Sequence, residues 1–312
     1  MTQISDLILE DFQVEFNTRG QQVKALRSTD LVIKKDKITG IVGETGCGKS
    51  VLALGILGLL PNYAVVKGNI HYGNQNIQNL RKKEREKYLG KVFGYIPQNP
   101  SESLNPIRKI KNQIEESLNL IYKDKDDIEN KARKLIESFG FEDIDRILNS
   151  YSFQLSGGMQ QRVLTAIHIA TNPYWLIADE PTKGLDKEVQ KDIIEVFNRI
   201  KEQGIDSMII ITHDINLVKD FCDELIVMYS GEVIEIGSNI ISEPMHPYTI
   251  GFFESLPENG MKPMIGKAPS PTEDIIGCRF YDRCKFVMDR CKVENPDLYH
   301  ANSRKVRCFL YD

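Results

Sequence analysis

Over the first forty or so residues, short apolar runs are broken by turn residues. LILEDFQVEF, KALRSTDLVI and KITGIVG each read as a strand. VLALGILGLL (51–60) follows a glycine-rich turn and reads as a buried helix, and GNIHYGNQNI reads as strand, turn, strand with Gly73-Asn74 at its tip. From about Pro100 to Phe153 the pattern becomes charged with helical spacing, as in IENKARKLIESFGF, where Gly140 marks a stop. VLTAIHIA predicts another helix, ended by Asn172-Pro173. YWLIAD, SMIIIT and ELIVMYS are apolar runs of strand length, with a helix predicted over KEVQKDIIEVFNRIKEQG. Buried strands alternating with helices predict an α/β core around a mostly parallel sheet. Pro257, Pro263, Pro269 and Pro271 mark a stiff linker to a cysteine-rich tail.

Composition narrows the classes. The chain of 312 residues, 41% hydrophobic and 27% charged, has material for one large domain plus something smaller. A net charge of −4 offers no global positive field for nucleic acid. The longest apolar stretch, 51–60, is about half of what a bilayer-spanning helix needs. MTQISDLILEDF lacks the positive start and apolar core of a signal peptide, so a soluble, intracellular chain is expected. Cys47 and Cys222 sit singly, while Cys278, Cys284, Cys291 and Cys308 crowd the last 35 residues. In a reducing cytosol such a cluster reads as a metal site before it reads as disulfides.

GETGCGKS (43–50) fits the phosphate-loop pattern, after an apolar strand and at the start of a helix. Gly43, Glu44, Thr45, Gly46, Cys47, Gly48, Lys49, Ser50 and Val51 are thus the candidate nucleotide-binding residues. Glycine lets the backbone fold around a polyphosphate so that amides and a helix N-terminus point at it. Lys49 would reach the β- and γ-phosphates and Ser50 would bind Mg²⁺. YWLIADEP ends an apolar strand in Asp179, placed to hold the Mg²⁺ water shell, and Glu180 is the candidate general base. Gln98 and His213 also stand at strand ends, where Gln98 could bridge Mg²⁺ to the next segment and His213 could sense the γ-phosphate. Cys47, near a helix N-terminus, is expected to have a lowered pKa, so that alkylation inhibits and ATP protects.

LSGGMQQR (155–162) offers a second set of bare amides at the mouth of a helix, in Ser156, Gly157 and Gly158. GETGCGKS, Gln98, LSGGMQQR, YWLIADE, PTKGLD and ITHD, in that order, resemble the ATPase subunit of an ATP-binding-cassette (ABC) transporter over about residues 4–255. The resemblance implies a RecA-like P-loop ATPase core with an antiparallel β subdomain, a helical insert and a small Cys-rich C-terminal extension. The nucleotide-binding domain would span 1–255, with the helical subdomain at about 99–155, and the linker and extension 256–312. It further implies ATP and Mg²⁺ as ligands and Phe16 as the ring on adenine. Catalysis would fall to Glu180, His213 and Lys49, and Mg²⁺ binding to Ser50, Gln98 and Asp179. Ser156, Gly157, Gly158 and Gln160 would close on the ATP of a second subunit packed head to tail, and Asp186 would lie in the loop that crosses to it.

EPMHPYTIGFFESLP and GCRFYDRCKFVMDRC resemble the C-terminal extension of oligopeptide, dipeptide and nickel importer ATPases. That resemblance implies peptide uptake, with nickel or another metal chelate as the alternative cargo. The partners would be a second, different ATPase, two permease subunits and an extracytoplasmic binding protein, with the chain on the cytoplasmic face of the membrane. A soluble cassette ATPase acting on nucleic acid or ribosomes is the more distant alternative. The four tail cysteines, spaced C-x5-C-x6-C-x16-C, suit Zn²⁺ or an iron–sulphur cluster, or are free thiols. Relatives with this tail include members assigned a [4Fe–4S] cluster, which is what the resemblance implies here.

Overall fold

The computed structural model describes residues 4–18, 20–183, 187–202 and 204–312. In chain order the elements begin β1 (Leu7–Thr18), β2 (Gln21–Ile33), β3 (Ile38–Val42), α1 (Lys49–Leu57), β4 (Ala64–Tyr72) and β5 (Gln75–Asn76). There follow α2 (Lys82–Arg85), β6 (Phe93–Ile96), α3 (Pro100–Ser103), α4 (Ile110–Leu118), α5 (Lys125–Ser138), α6 (Ile144–Asn149) and α7 (Gly157–Ile169). Next come β7 (Trp175–Asp179), α8 (Lys187–Glu202), β8 (Ser207–Ile211), α9 (Ile215–Phe221), β9 (Glu224–Tyr229) and β10 (Glu232–Gly237). The chain closes with α10 (Pro247–Glu254), α11 (Asp289–Val293), β11 (Tyr299–Ala301) and β12 (Arg304–Val306). It divides into one compact unit of residues 1–80 with 218–312 and a second of 81–217.

In the first unit an antiparallel sheet runs β2-β1-β4-β5, where Phe16 faces Val23 on one side and Ala64 on the other. A mixed layer runs β11-β12-β10-β9-β3, with β3 parallel to β9 and the other pairs antiparallel. The parallel core is therefore extended by an antiparallel edge that the apolar pattern did not reveal. Ser230 (φ 48°) and Gly231 (φ 83°) make the two-residue turn that returns β9 into β10. Two buried glutamates interrupt the apolar run of β10. Glu235 accepts the amides of Met245 and His246 at 3.0 and 2.9 Å ahead of α10, and Glu232 accepts from Asn295 at 2.8 Å.

α1 begins two residues before the expected run and stops at Leu57, because Gly58 turns left-handed (φ 70°) and the Leu59 amide bonds back to Leu54. The proline-containing stretch is no free linker. Lys24 donates its amide to the Pro271 carbonyl at 3.0 Å, and its ammonium meets Asp274 at 2.6 Å.

In the second unit β6, β7 and β8 are all parallel, and Trp175, Leu176, Ile177 and Ala178 of β7 are buried. The charged stretch folds as expected into helices with narrow apolar stripes: Ile110, Ile114 and Leu118 on α4, and Ile128, Ala132 and Ile136 on α5. Asp124 caps α5 by accepting the amides of Asp126 and Asp127, which starts the helix ahead of the sequence estimate. Gly140, at φ 76°, lies just past its end.

Candidate nucleotide site

In the first unit the phosphate loop leaves β3 and enters α1 through glycines that other residues cannot replace. A Cβ on Gly43 (φ 151°) would meet the Met228 carbonyl oxygen at 2.1 Å, and one on Gly48 (φ 106°) would meet that of Ala25 at 2.6 Å. Gly46 (φ 84°) faces open space. Gly48 caps α1 without a side-chain hydrogen bond, so the first-turn amides are left to a ligand. Lys49 is buried and folds over the loop, donating to the carbonyls of Gly43 at 2.8 Å and Glu44 at 3.1 Å. Thr45 is exposed, while Ser50 and Val51 are half-buried. The loop is tied to the hairpin tip, since Gly231 donates to the Cys47 carbonyl at 3.0 Å. Phe16 is half-buried, its ring centroid 5.8 Å from that of the exposed Tyr63.

Cys47 corrects an expectation. Its thiol is 3% exposed, and burial raises its pKa more than Lys49 lowers it. The helix N-terminus is outweighed because the sulphur points inward, so Cys47 is a shielded, protonated thiol.

In the second unit the neighbouring ends of β7 and β8 bring Asp179, Glu180 and His213 together. Asp179 is buried and hydrogen-bonded to Tyr95 of β6, whose phenol burial and Asp179 push up to about 12. Glu180 adopts a left-handed backbone (φ 51°), and its amide bonds the Ile211 carbonyl at 2.7 Å. That turn aims its carboxylate at His213, whose Nδ1 stands 2.6 Å from Oε2. The imidazole itself is 59% exposed and accessible to a ligand. Gln98 is exposed, two residues beyond β6.

Ser156 caps α7, its Oγ accepting the Met159 amide at 3.4 Å, and both Ser156 and Gly157 are exposed. Gly158 is half-buried in the first turn. Gln160 fixes the approach to the helix by donating to the carbonyls of Ser152 at 2.9 Å and Leu155 at 3.2 Å. Asp186 lies outside the described residues.

The amino-acid pattern did not reveal Tyr95, or the tail side chains Arg283 and Tyr248 that bond Glu44. Tyr95 is one polar atom on an otherwise apolar strand, and Arg283 stands 239 residues from the residue it pairs with.

The ABC transporter family description matches residues 26–183, and the C-terminal region of oligopeptide/dipeptide transporters matches 234–291. The oligopeptide transport ATP-binding protein AppD of Bacillus subtilis is 34% identical over 98% of this chain and 97% of its own length. The chain belongs to the ABC transporter family. It is an ATP-binding, ATP-hydrolysing cassette of the oligopeptide/dipeptide type. The dipeptide transport ATP-binding protein DppD of Bacillus subtilis is 36% identical, over 98% of this chain and 95% of its own. Among solved structures, the dimeric cassette MJ0796 in a post-hydrolysis state with ADP and Pi is similar with a TM-score of 0.67 and 26% identity, covering 74% of this chain and 98% of that one. The protein cbiO1 of Clostridium perfringens, part of the ABC transporter complex cbiONQ, gives 0.65 at 26% identity, covering 82% and 96%. Among the described residues no helix of this ABC ATPase is long and apolar enough to cross a membrane.

Cys278, Cys284, Cys291 and Cys308 line one small cavity of about 10 Å³. Three of the sulphurs accept the amide two residues on: Cys278 from Phe280, Cys284 from Phe286 and Cys308 from Leu310. Such N–H···S bonds are one way a protein stabilises ligating thiolates. Burial holds Cys284 and Cys308 above the usual thiol range and pushes Cys278 up to about 12. Among the described residues no three Cys, His, Asp or Glu side chains are gathered as a set that could hold a metal ion. The donor chemistry fits a thiolate-bound centre, whereas the spacing of the sulphurs as they stand does not form one.

Proposed function

We propose that this chain is the motor subunit of a membrane importer for peptides, held at the cytoplasmic face by two permease subunits. The observation that carries this reading is one chain holding a phosphate loop, a signature helix and the oligopeptide/dipeptide C-terminal region. The relatives named above are oligopeptide and dipeptide transport proteins, which favours peptides over nickel or another metal chelate and over a soluble role on nucleic acid. An extracytoplasmic binding protein would select the cargo. The nucleotide-binding domain spans 1–255 and the extension 256–312.

ATP lies in the loop 43–51 with Phe16 against adenine, while Lys49 turns from the loop carbonyls to the β- and γ-phosphates. Ser50, Gln98 and Asp179 would be the residues that hold Mg²⁺ and its water, which would offset the charge of the phosphates. Glu180 takes the proton of the attacking water, and His213, hydrogen-bonded to it, orients that carboxylate. Ser156, Gly157, Gly158 and Gln160 lie on an exposed helix mouth, which suits a grip on the ATP of a second cassette ATPase. ATP then bridges two surfaces, and its hydrolysis releases them. Such a head-to-tail pair, here with a different ATPase, is in keeping with the dimeric form of MJ0796.

Cys278, Cys284, Cys291 and Cys308 would be the ligands of a [4Fe–4S] cluster, or alternatively of Zn²⁺, once their sulphurs are drawn together; either centre would cross-link the tail. An anaerobic preparation should contain about four iron atoms per chain. A colourless protein with stoichiometric zinc would establish the alternative, and one without either metal would leave four free thiols.

Glu180→Gln tests the motor. Phosphate release should fall by about two to four orders of magnitude while ATP affinity is retained. Undiminished turnover would remove Glu180 from the role of base.

A further inference from the structure

Glu44 places a carboxylate inside a loop shaped for a polyanion, and the cysteine-rich tail engages that carboxylate. Arg283, the residue before Cys284, donates from Nη2 to Oε1 at 3.0 Å and from Nη1 to Oε2 at 3.2 Å. The guanidinium is well fixed. Nη1 also donates to Tyr229 Oη at 3.2 Å, Nε donates to the Ile265 carbonyl at 3.3 Å, and the side chain is 6% exposed. The backbone of Glu44 is held as well. Its amide donates to Tyr248 Oη at 3.0 Å, and its carbonyl accepts from Lys49 Nζ. Tyr248 is fully buried, and its ring centroid lies 4.5 Å from that of Tyr229 at a tilt of 47°, so Arg283, Tyr229 and Tyr248 form one block against the loop.

A bare carboxylate at this position would repel the phosphates it borders, and a loosely held one could fold across the bed of amides. A two-pronged arginine removes both problems, because its fork matches the carboxylate plane and its charge cancels it. We propose that Arg283 is a positioning residue for nucleotide binding: it neutralises Glu44 and draws its carboxylate off the phosphate path, so that the tail completes the nucleotide site of its own chain. The assignment rests on the reading of 43–51 as the ATP site, and it gives the extension a role in ATP affinity that is separate from any metal.

The experiment is ATP titration of the full-length chain, with KM and kcat of ATP hydrolysis, for Arg283→Gln, Arg283→Lys, Glu44→Gln/Arg283→Gln and Arg290→Gln. Arg283→Gln should raise Kd and KM for ATP by about tenfold with little change in kcat, since the loss is of binding rather than of the reacting groups. Arg283→Lys should recover part of the affinity, keeping the charge and losing the fork. In Glu44→Gln/Arg283→Gln no unpaired carboxylate remains, and affinity should return to within about threefold of wild type. Arg290, which pairs with Glu294 and Asp312, controls for loss of a tail charge and should leave Kd unchanged. A melting curve accompanies each variant. If Arg283→Gln fails to fold, the Lys variant and the double variant decide alone. A double variant as weak as the single one, or an Arg283→Lys variant of wild-type affinity paired with unimpaired Arg283→Gln, would overturn the proposal and leave the pair as a strut. If Lys49→Ala also binds ATP normally, it is the reading of the loop itself that fails.

Discussion

His246 stands at the N-cap of α10, wholly enclosed, with Nδ1 accepting the Tyr248 amide at 2.9 Å. Burial drives its pKa down to about 3, against about 6.5 in an unfolded chain. The sign follows directly. Above pH 6.5 both states are neutral and the stability is intact; as pH falls, the unfolded chain takes a proton that the folded one refuses, and stability is lost down to about pH 3. At pH 5 the loss is about 2 kcal/mol. His246→Asn keeps an N-cap acceptor, and in denaturant titrations it should flatten the decline between pH 7 and pH 5 by about that amount. An equal decline in both proteins would assign the acid lability elsewhere. At Cys47 the same physics acts on a thiol: enclosure, not helix direction, sets its state. Iodoacetamide under native conditions should leave Cys47 largely unmodified, as peptide mass spectrometry would show, and rapid labelling slowed by ATP would reverse that conclusion.

At the level of elements, the phosphate loop was legible because its glycines are steric requirements that leave a fixed spacing in the sequence. Gly48→Ala adds a methyl 2.6 Å from the Ala25 carbonyl at a backbone angle that alanine resists. It should lower stability by about 2 kcal/mol or more and abolish ATP binding, measured by unfolding midpoint and nucleotide titration. The strand within YWLIAD was equally legible, since Trp175, Leu176, Ile177 and Ala178 are all buried and apolar ahead of Asp179. β10 was not, for its two enclosed glutamates broke the apolar run. β11 and β12, three residues each, are too short to carry a period. The Glu180–His213 contact was suggested only by the fact that both follow strands; the left-handed turn at Glu180 that aligns them has no sequence signal, since glutamate rarely adopts it.

For the molecule as a whole, the order of motifs identified the cassette, while contacts remote in sequence, such as Arg283 with Glu44, came only from the folded chain. A whole-molecule prediction concerns assembly. With ATP, the Glu180→Gln chain mixed with its cognate second ATPase should elute as a heterodimer, and without nucleotide as separate subunits; a stable dimer formed by this chain alone would replace that picture with a homodimer. The strand β12 pairs with β10, and the Pro271 carbonyl accepts from β2. A chain ended after residue 255 would therefore lose more than a tail. It would bare the flank of β10, where Glu235 and Ile236 face Val306 and Lys305. Unpaired flanks of this kind recruit strands from other molecules, so such a fragment is expected to form inclusion bodies on expression and to be rescued by supplying residues 256–312 as a separate polypeptide.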